Sequence, residues 1–239
     1  MDAETLRQYL EFYQDLGIKT LYRRGAPANT GQTRAEGQVE AAPAPQAAAT
    51  ESLFHIVEDI GDCRRCGLHE RRNKIVFGVG DEQAKLVFVG EGPGADEDAQ
   101  GIPFVGRAGQ LLTQMIEGTA RKEGIPLLRK DVYICNVVKC RPPENRAPLP
   151  AEMEICGGFL SRQLLAIHPK AICALGATAA KFLTHGKEGV TRMRGNWYKW
   201  NDIPVMVTYH PSYLLRAYNV EPKREAWEDL KKVLHFVYD

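Results

Sequence analysis

The stretch Leu86-Val87-Phe88-Val89-Gly90-Glu91-Gly92-Pro93-Gly94 decides the fold. Four large apolar residues run straight into a glycine-rich turn, which reads as a strand buried on both faces. Three further apolar runs have the same character: Val132–Val138, Ala171–Leu175 and Val205–Tyr209. Between and after them, helical periodicity appears at residues 107–122, 151–167, 176–184 and 222–237. Strand alternating with helix predicts a parallel sheet of four strands covered by helices on both faces, an α/β chain in three layers. Ligand sites in such folds sit at the carboxyl ends of strands. Three of those ends are chemically unusual: the turn Gly90–Gly94, the stretch Asn136–Cys140 and His210-Pro211-Ser212.

Outside this region the composition changes. Residues 4–22 follow the 3, 4, 7 spacing of an amphipathic helix through Leu6, Tyr9, Leu10, Tyr13 and Leu16. From Gly25 to Thr50, 15 of 26 residues are Ala, Pro or Gly, and Val39 is the only large aliphatic. Such a segment buries too little surface to offset its ordering entropy, so it reads as a flexible linker. The expected organisation is an N-terminal helix at 1–24, a linker at 25–50 and one main domain at 51–239. The helix either docks on that domain or binds a protein partner.

Apolar residues make up 44% and charged residues 26% of the chain, which excludes a wholly disordered or coiled-coil protein. The formal net charge of +1 leaves no global basic field, so a nucleic-acid partner must be held by a local patch. No stretch approaches the ~18–20 apolar residues of a membrane span. The start, Met1-Asp2-Ala3-Glu4, lacks the pattern of a secretory signal. A cytoplasmic monomer with reduced thiols is expected.

Four of the six cysteines suggest a metal site. Cys63-x2-Cys66 is a short turn able to point two sulfurs at one centre; Cys140 ends the second strand, and Cys156 follows after 15 intervening residues. Four thiolates suit zinc and an iron–sulfur cluster equally. Either would clamp the proline-rich loop 141–155 and present Arg141 and Arg146 to a partner. Cys135 and Cys173 lie inside strands and read as core.

The glycine turn formally matches a dinucleotide fingerprint, Gly90-x-Gly92-x-x-Ala95. No helical pattern follows at once, and the next strand ends in Asn136, not in an acidic ribose ligand. Gly-Lys-Ser/Thr is absent, which excludes a triphosphate loop. Asp96, Glu97 and Asp98 read equally as a solvated charge run.

Together these residues resemble the family-four uracil-DNA glycosylases, the iron–sulfur branch of the uracil-DNA glycosylase superfamily. The resemblance is carried by Gly90–Gly94 with Glu97-Asp98, Pro103-Phe104-Val105-Gly106, Asn136-Val137-Val138-Lys139-Cys140-Arg141-Pro142-Pro143 and His210-Pro211-Ser212, over roughly residues 53–236. It implies a three-layer α/β/α fold, hydrolysis of the N-glycosidic bond of uracil in DNA, and a [4Fe-4S] cluster on Cys63, Cys66, Cys140 and Cys156, with zinc the alternative.

It also implies roles. Phe104 stacks on a base flipped out of the helix. Asn136 offers one donor and one acceptor, the complement of the uracil edge and the mismatch of the cytosine edge. Glu97 closes the pocket near uracil C5, and Gly92 lines the base site where family-one enzymes have an aspartate. His210 donates toward uracil O2. Glu91, the nearest carboxylate, positions water, steadies the oxocarbenium ion, or is a structural acceptor. Leu214 is the expected wedge into the DNA. Arg216 is the expected phosphate contact, with the basic clusters at 63–85 and 181–216 around the pocket. The substrate is uracil-containing DNA, single- or double-stranded. The competing reading from another class is a non-catalytic iron–sulfur or zinc module that binds nucleic acid.

Overall fold

The strand Leu86–Gly90 (β2) is buried along its whole length in the computed structural model, which describes residues 51–239. The expected N-terminal helix and linker lie outside the described residues. Alternate side chains of β2 serve two cores. Leu86 and Phe88 pack with Leu112 and Ile116 of one helix (α3, Arg107–Lys122) and Leu230, Val233 and Leu234 of another (α8, Val220–Tyr238). Val87 and Val89 face the opposite core, built from Ile56 of α1 (Leu53–Ile60), Leu160 and Leu164 of α4 (Pro150–Ile167) and Leu183 of α5 (Ala177–Thr184). A strand apolar at every position is therefore a strand with a helix layer on each side.

The sheet has six strands. The strands β3 (Tyr133–Asn136), β2, β4 (Ala171–Leu175) and β6 (Ile203–Thr208) run parallel in that order. These are the four expected strands. Two antiparallel edge strands are added: β1 (Val79–Gly80) against β3, and β5 (Trp197–Trp200) against β6. The first has two exposed residues and the second only one buried side chain, so neither shows a buried apolar run. Cys135 and Cys173 are fully buried in β3 and β4, as expected of core residues.

One expectation is corrected at the glycine turn. A helix does begin at once, α2 at Ala95–Gln100, followed by a left-handed Gly101. Its acidic first turn complements the positive end of the helix dipole. Nor is it a uniformly solvated charge run, since of Asp96, Glu97 and Asp98 only Asp96 is exposed. Asp98 is completely buried and accepts from the Asn73 backbone N–H, the Asn73 side-chain amide and the Lys74 N–H.

From β2 the chain crosses to β3 on one side and returns to β4 on the other. The crevice at that reversal is where ligands bind in open α/β sheets. Two short α-helices, α6 (Val190–Met193) and α7 (Pro211–Leu214), and three 3-10 turns at Gly67–Glu70, Arg129–Asp131 and Pro143–Asn145 complete the described elements.

The start of α3 is shaped by a close approach. A Cβ at Gly109 would lie 1.9 Å from the backbone carbon and oxygen of Phe104. Helix propensity alone favours Ala over Gly by about 1 kcal/mol, but the clash reverses the sign. Gly109→Ala is expected to destabilise the fold by about 1–3 kcal/mol, read as a lowered Tm. An equal or higher Tm would contradict this packing.

Candidate active site at the carboxyl ends of the strands

Glycine at position 90 makes room for the site. A Cβ there would sit 2.4 Å from Asn136 Oδ1 and 2.6 Å from Phe104 Cζ, so only hydrogen lets both side chains reach the end of β2. They line a cleft of about 220 Å³ with Glu91, Gly92, Glu97, Pro142, Asn145, Arg146, His210 and Ser212, among others. Six expected site residues thus meet in one crevice: Glu91, Gly92, Glu97, Phe104, Asn136 and His210.

Asn136 ends β3 and is 2% exposed. Its Oδ1 is buried and has no hydrogen-bond partner among the described residues. A buried polar atom without a partner is costly, by roughly 1–3 kcal/mol. Such an atom at the wall of a cleft marks a place where a ligand donor belongs.

Phe104 is 6% exposed and has a left-handed backbone, φ 55°, which is uncommon for an aromatic residue. Its neighbours hold it there. Arg129 Nη2 donates to the Pro103 carbonyl at 2.8 Å, and Glu97 Oε1 accepts from Val105 N–H and Gly106 N–H, both at 3.0 Å. Glu97 Oε2 accepts from Gly94 N–H at 3.1 Å, so this carboxylate ties the glycine turn to the Phe104 loop. The Phe104 and His210 rings are 5.6 Å apart, tilted by 34°.

His210 caps α7. Its Nδ1 accepts from Ser212 N–H at 3.2 Å and is 2.7 Å from Ser212 Oγ. An Nδ1 that accepts carries no proton, so the neutral ring bears its hydrogen on Nε2. Desolvation pulls the imidazole down to about 4, with the Glu97 carboxylate opposing. The ring is therefore neutral at pH 7 and a single-proton donor.

Glu91 Oε2 accepts from Thr178 Oγ1 at the start of α5. Its Oε1 has no hydrogen-bond partner among the described residues. At Gly92 a Cβ would meet Val138 Cγ2 at 2.7 Å, so that wall is closed to a side chain.

The rim differs from expectation in three ways. Leu214 is 1% exposed and packs with Tyr209 and Ala226; the exposed side chains at this tip are Tyr213, Leu215 and Tyr218. Helix α7 turns Leu214 inward, so it is not a surface wedge here. Arg216 is exposed, lies over the Tyr213 ring at 5.7 Å and donates to Tyr218 Oη at 3.3 Å. Arg141 is half-buried and donates to Asn145 Oδ1, while Arg146, held by both oxygens of Glu152, is the loop arginine that lines the cleft. Several of the expected phosphate cations have carboxylate partners within the chain, Arg64 and Arg65 at the surface and Arg72 and Arg194 mostly covered. Arg64 and Arg65 pair with Asp62 and Asp59, Arg72 with Asp62, and Arg194 with Asp229 and Glu225.

Cys140 and Cys156 are buried, and Cys63 and Cys66 lie half-buried close to them. Arg72 Nη1 donates to the Cys63 carbonyl at 2.5 Å and reaches Cys140 Sγ at 3.5 Å. Cys156 Sγ accepts from Lys139 N–H at 3.2 Å. Burial pushes the Cys140 thiol up to about 11, with Arg72 opposing, and raises Cys156 as well. All four are free thiols. Among the described residues no three His, Cys, Asp or Glu side chains are set to hold a metal ion.

Known proteins are similar to this chain in sequence. The profile of the uracil DNA glycosylase superfamily matches residues 77–231. The type-4 uracil-DNA glycosylase of Thermotoga maritima is 49% identical over 190 residues, covering 78% of this chain and 96% of that protein. The chain belongs to the type-4 uracil-DNA glycosylase family. Its relatives include the type-4 uracil-DNA glycosylases of Archaeoglobus fulgidus, 46% identical over 77% of this chain and 92% of that protein, and of Sulfurisphaera tokodaii, 43% identical over 77% and 84%. The superfamily match takes in every cleft residue named above, while Cys63 and Cys66 lie before it.

Seven further residues line the cleft: Pro93, Gly94, Ala108, Pro142, Asn145, Arg146 and Ser212. Pro93, Gly94, Pro142 and Ser212 stood inside the motifs without an assigned role, Arg146 was expected only on the surface loop, and Ala108 and Asn145 carried no signal.

The neutral His210 sets a pH test. The folded ring titrates at about 4 and an unperturbed one at 6.5, so the unfolded chain binds the proton first. This contribution to stability is whole above 6.5 and falls as the pH drops toward 4. Urea melts of wild type and His210→Gln should diverge across that window, with a slope difference of at most about 1.4 kcal/mol per pH unit. Parallel curves would contradict the buried neutral ring.

Proposed function

We propose that this chain excises uracil from DNA, hydrolysing the N-glycosidic bond and leaving an abasic site. The observation that carries the reading is the unpartnered Asn136 Oδ1 at the wall of the cleft. Uracil N3–H supplies the missing donor, while O4 beside it accepts from Nδ2. Cytosine presents the reverse pair and leaves like groups facing each other, at ~1–3 kcal/mol per unsatisfied group.

The other residues follow from position. The base leaves the stack to enter the cleft. Phe104, locked by Glu97 and Arg129, offers its ring as the stacking surface. As the bond to the sugar lengthens, negative charge develops on uracil O2, and His210 Nε2–H is the fixed donor toward it. A preorganised donor of this kind contributes roughly 3–4 kcal/mol to the transition state. No proton has to leave His210, so a low pKa suits the role. Glu91, oriented by Thr178, keeps Oε1 for a water or for the positive charge on the sugar. Glu97 limits space at C5 through the loop it holds, and Gly92 leaves the base edge free. Among the exposed apolar residues after His210, Leu215 takes the wedge role expected of Leu214. Arg216 and Arg146 face the DNA backbone.

Cys63, Cys66, Cys140 and Cys156 would hold a [4Fe-4S] cluster. The all-sulfur donor set, with N–H donors from Arg72 and Lys139 on two of the sulfurs, suits such a cluster. When bound it supplies a structural cross-link between the chain before β1 and the loop that walls the cleft. We read the protein as a monomer acting in the cytoplasm. Among the described residues no helix is long and apolar enough to cross a membrane.

The test is anaerobic purification followed by incubation with a single-uracil oligonucleotide and alkali, which cuts only at abasic sites. Strand cleavage is expected, with Asn136→Ala and His210→Ala each slowing uracil release by at least about 100-fold. About four irons per chain are expected, lost in Cys140→Ser. An uncut strand with an intact cluster would move the function to nucleic-acid binding without catalysis.

A further inference from the structure

Lys139 is completely buried, and the glycosylase chemistry above does not use its side chain. Burying a lysine is costly, and a methionine would fill similar space without that cost. The amino group must therefore do something a methionine cannot. Its Nζ donates to the main-chain carbonyl of Asn136 at 2.8 Å and to Gln163 Oε1 at 2.5 Å. Gln163 is in turn held by its own amide, which donates to the Phe77 carbonyl and to Tyr133 Oη.

The need for such an anchor follows from the site. Asn136 must keep its side-chain oxygen unpartnered until a base arrives, so no hydrogen bond to that oxygen can hold the residue in place. Its position has to be set through the backbone. Beyond Asn136, Val137 N–H and Val138 N–H donate to the Gly90 and Glu91 carbonyls, and the Asn136 carbonyl itself is held by Lys139. The same lysine donates its backbone N–H to Cys156 Sγ, so one residue touches both the reading side chain's backbone and the cysteine group.

We propose that Lys139 is the positioning residue for Asn136, fixing the uracil-reading amide through its main-chain carbonyl and tying it to the cysteine group. The inference rests on Asn136 reading the base. Its test is a double-mutant cycle of Lys139→Met and Asn136→Ala, measured by single-turnover uracil release, with iron content, Tm and hydrogen exchange of residues 133–140 followed in parallel.

Lys139→Met alone is expected to slow release by about 10- to 100-fold. In the Asn136→Ala background the same change should cost less than about 2-fold, because there is no amide left to position. Amide protection at Val137 and Val138 should fall while the iron content is kept. Equal losses in both backgrounds, or no loss in the first, would overturn the proposal and leave the glycosylase reading standing. Full activity in Asn136→Ala would instead overturn that reading, and this inference with it. Should Lys139→Met not fold, Gln163→Met removes the lysine's outer anchor. The same non-additivity with Asn136→Ala is then expected, and additivity overturns the proposal.

Discussion

Two side chains have to share the space a methyl group would fill at Gly90. Asn136 arrives from the neighbouring strand and Phe104 from the loop after α2, and each comes within contact of the same hydrogen. Everything around the cleft follows from holding that approach. Phe104 takes a left-handed backbone to make it, Gly109 gives up its side chain to let the Phe104 backbone pass, and Glu97 and Arg129 bind the loop on both sides of the ring. Strain of this kind costs about 1–3 kcal/mol and persists only where the surroundings over-determine it. Here the hydrogen bonds that do so can be named.

The electrostatics of the cleft follow the same economy. It holds one neutral imidazole, one carboxylate bound to backbone amides, one carboxylate bound to a hydroxyl, and one guanidinium paired with Glu152. None of these needs to change protonation for the proposed reaction. The site works by donors and dipoles set in advance, which is how a reaction that separates charge is best assisted.

The sheet was legible because four short apolar runs, rich in Val and Ile or bounded by glycine and proline, alternate with helical patterns, as strands covered on both faces do. The edge strands were not, since Val79–Gly80 is two exposed residues and Trp197–Trp200 is mostly exposed. Helix α2 hid because six residues rich in acid carry no apolar stripe; they are held by inward-facing carboxylates. At the site, residues inside ordered motifs came together in one cleft. Residues whose role depends on helix direction did not. Leu214 and Leu215 are adjacent and alike in sequence, and only the turn of α7 decides which is buried. The pairing of the cations was hidden for a related reason. A run of arginines has the same composition whether it faces phosphate or neighbouring aspartates, and partners such as Asp229 for Arg194 are far away along the chain.

Glu97 and Asp98 are neighbours on one short helix, yet their carboxylates look in opposite directions. Glu97 grips the turn at Gly94 and the loop at 105–106; Asp98 grips Asn73 and Lys74, just beyond the first cysteine pair. For a lineage changing one residue at a time, these two positions are hinges of historical contingency. A substitution at either is felt in a segment that shares no local sequence with it. Drift in the cleft loop and in the cysteine segment is thereby yoked to the same six-residue helix, and the two regions cannot wander independently.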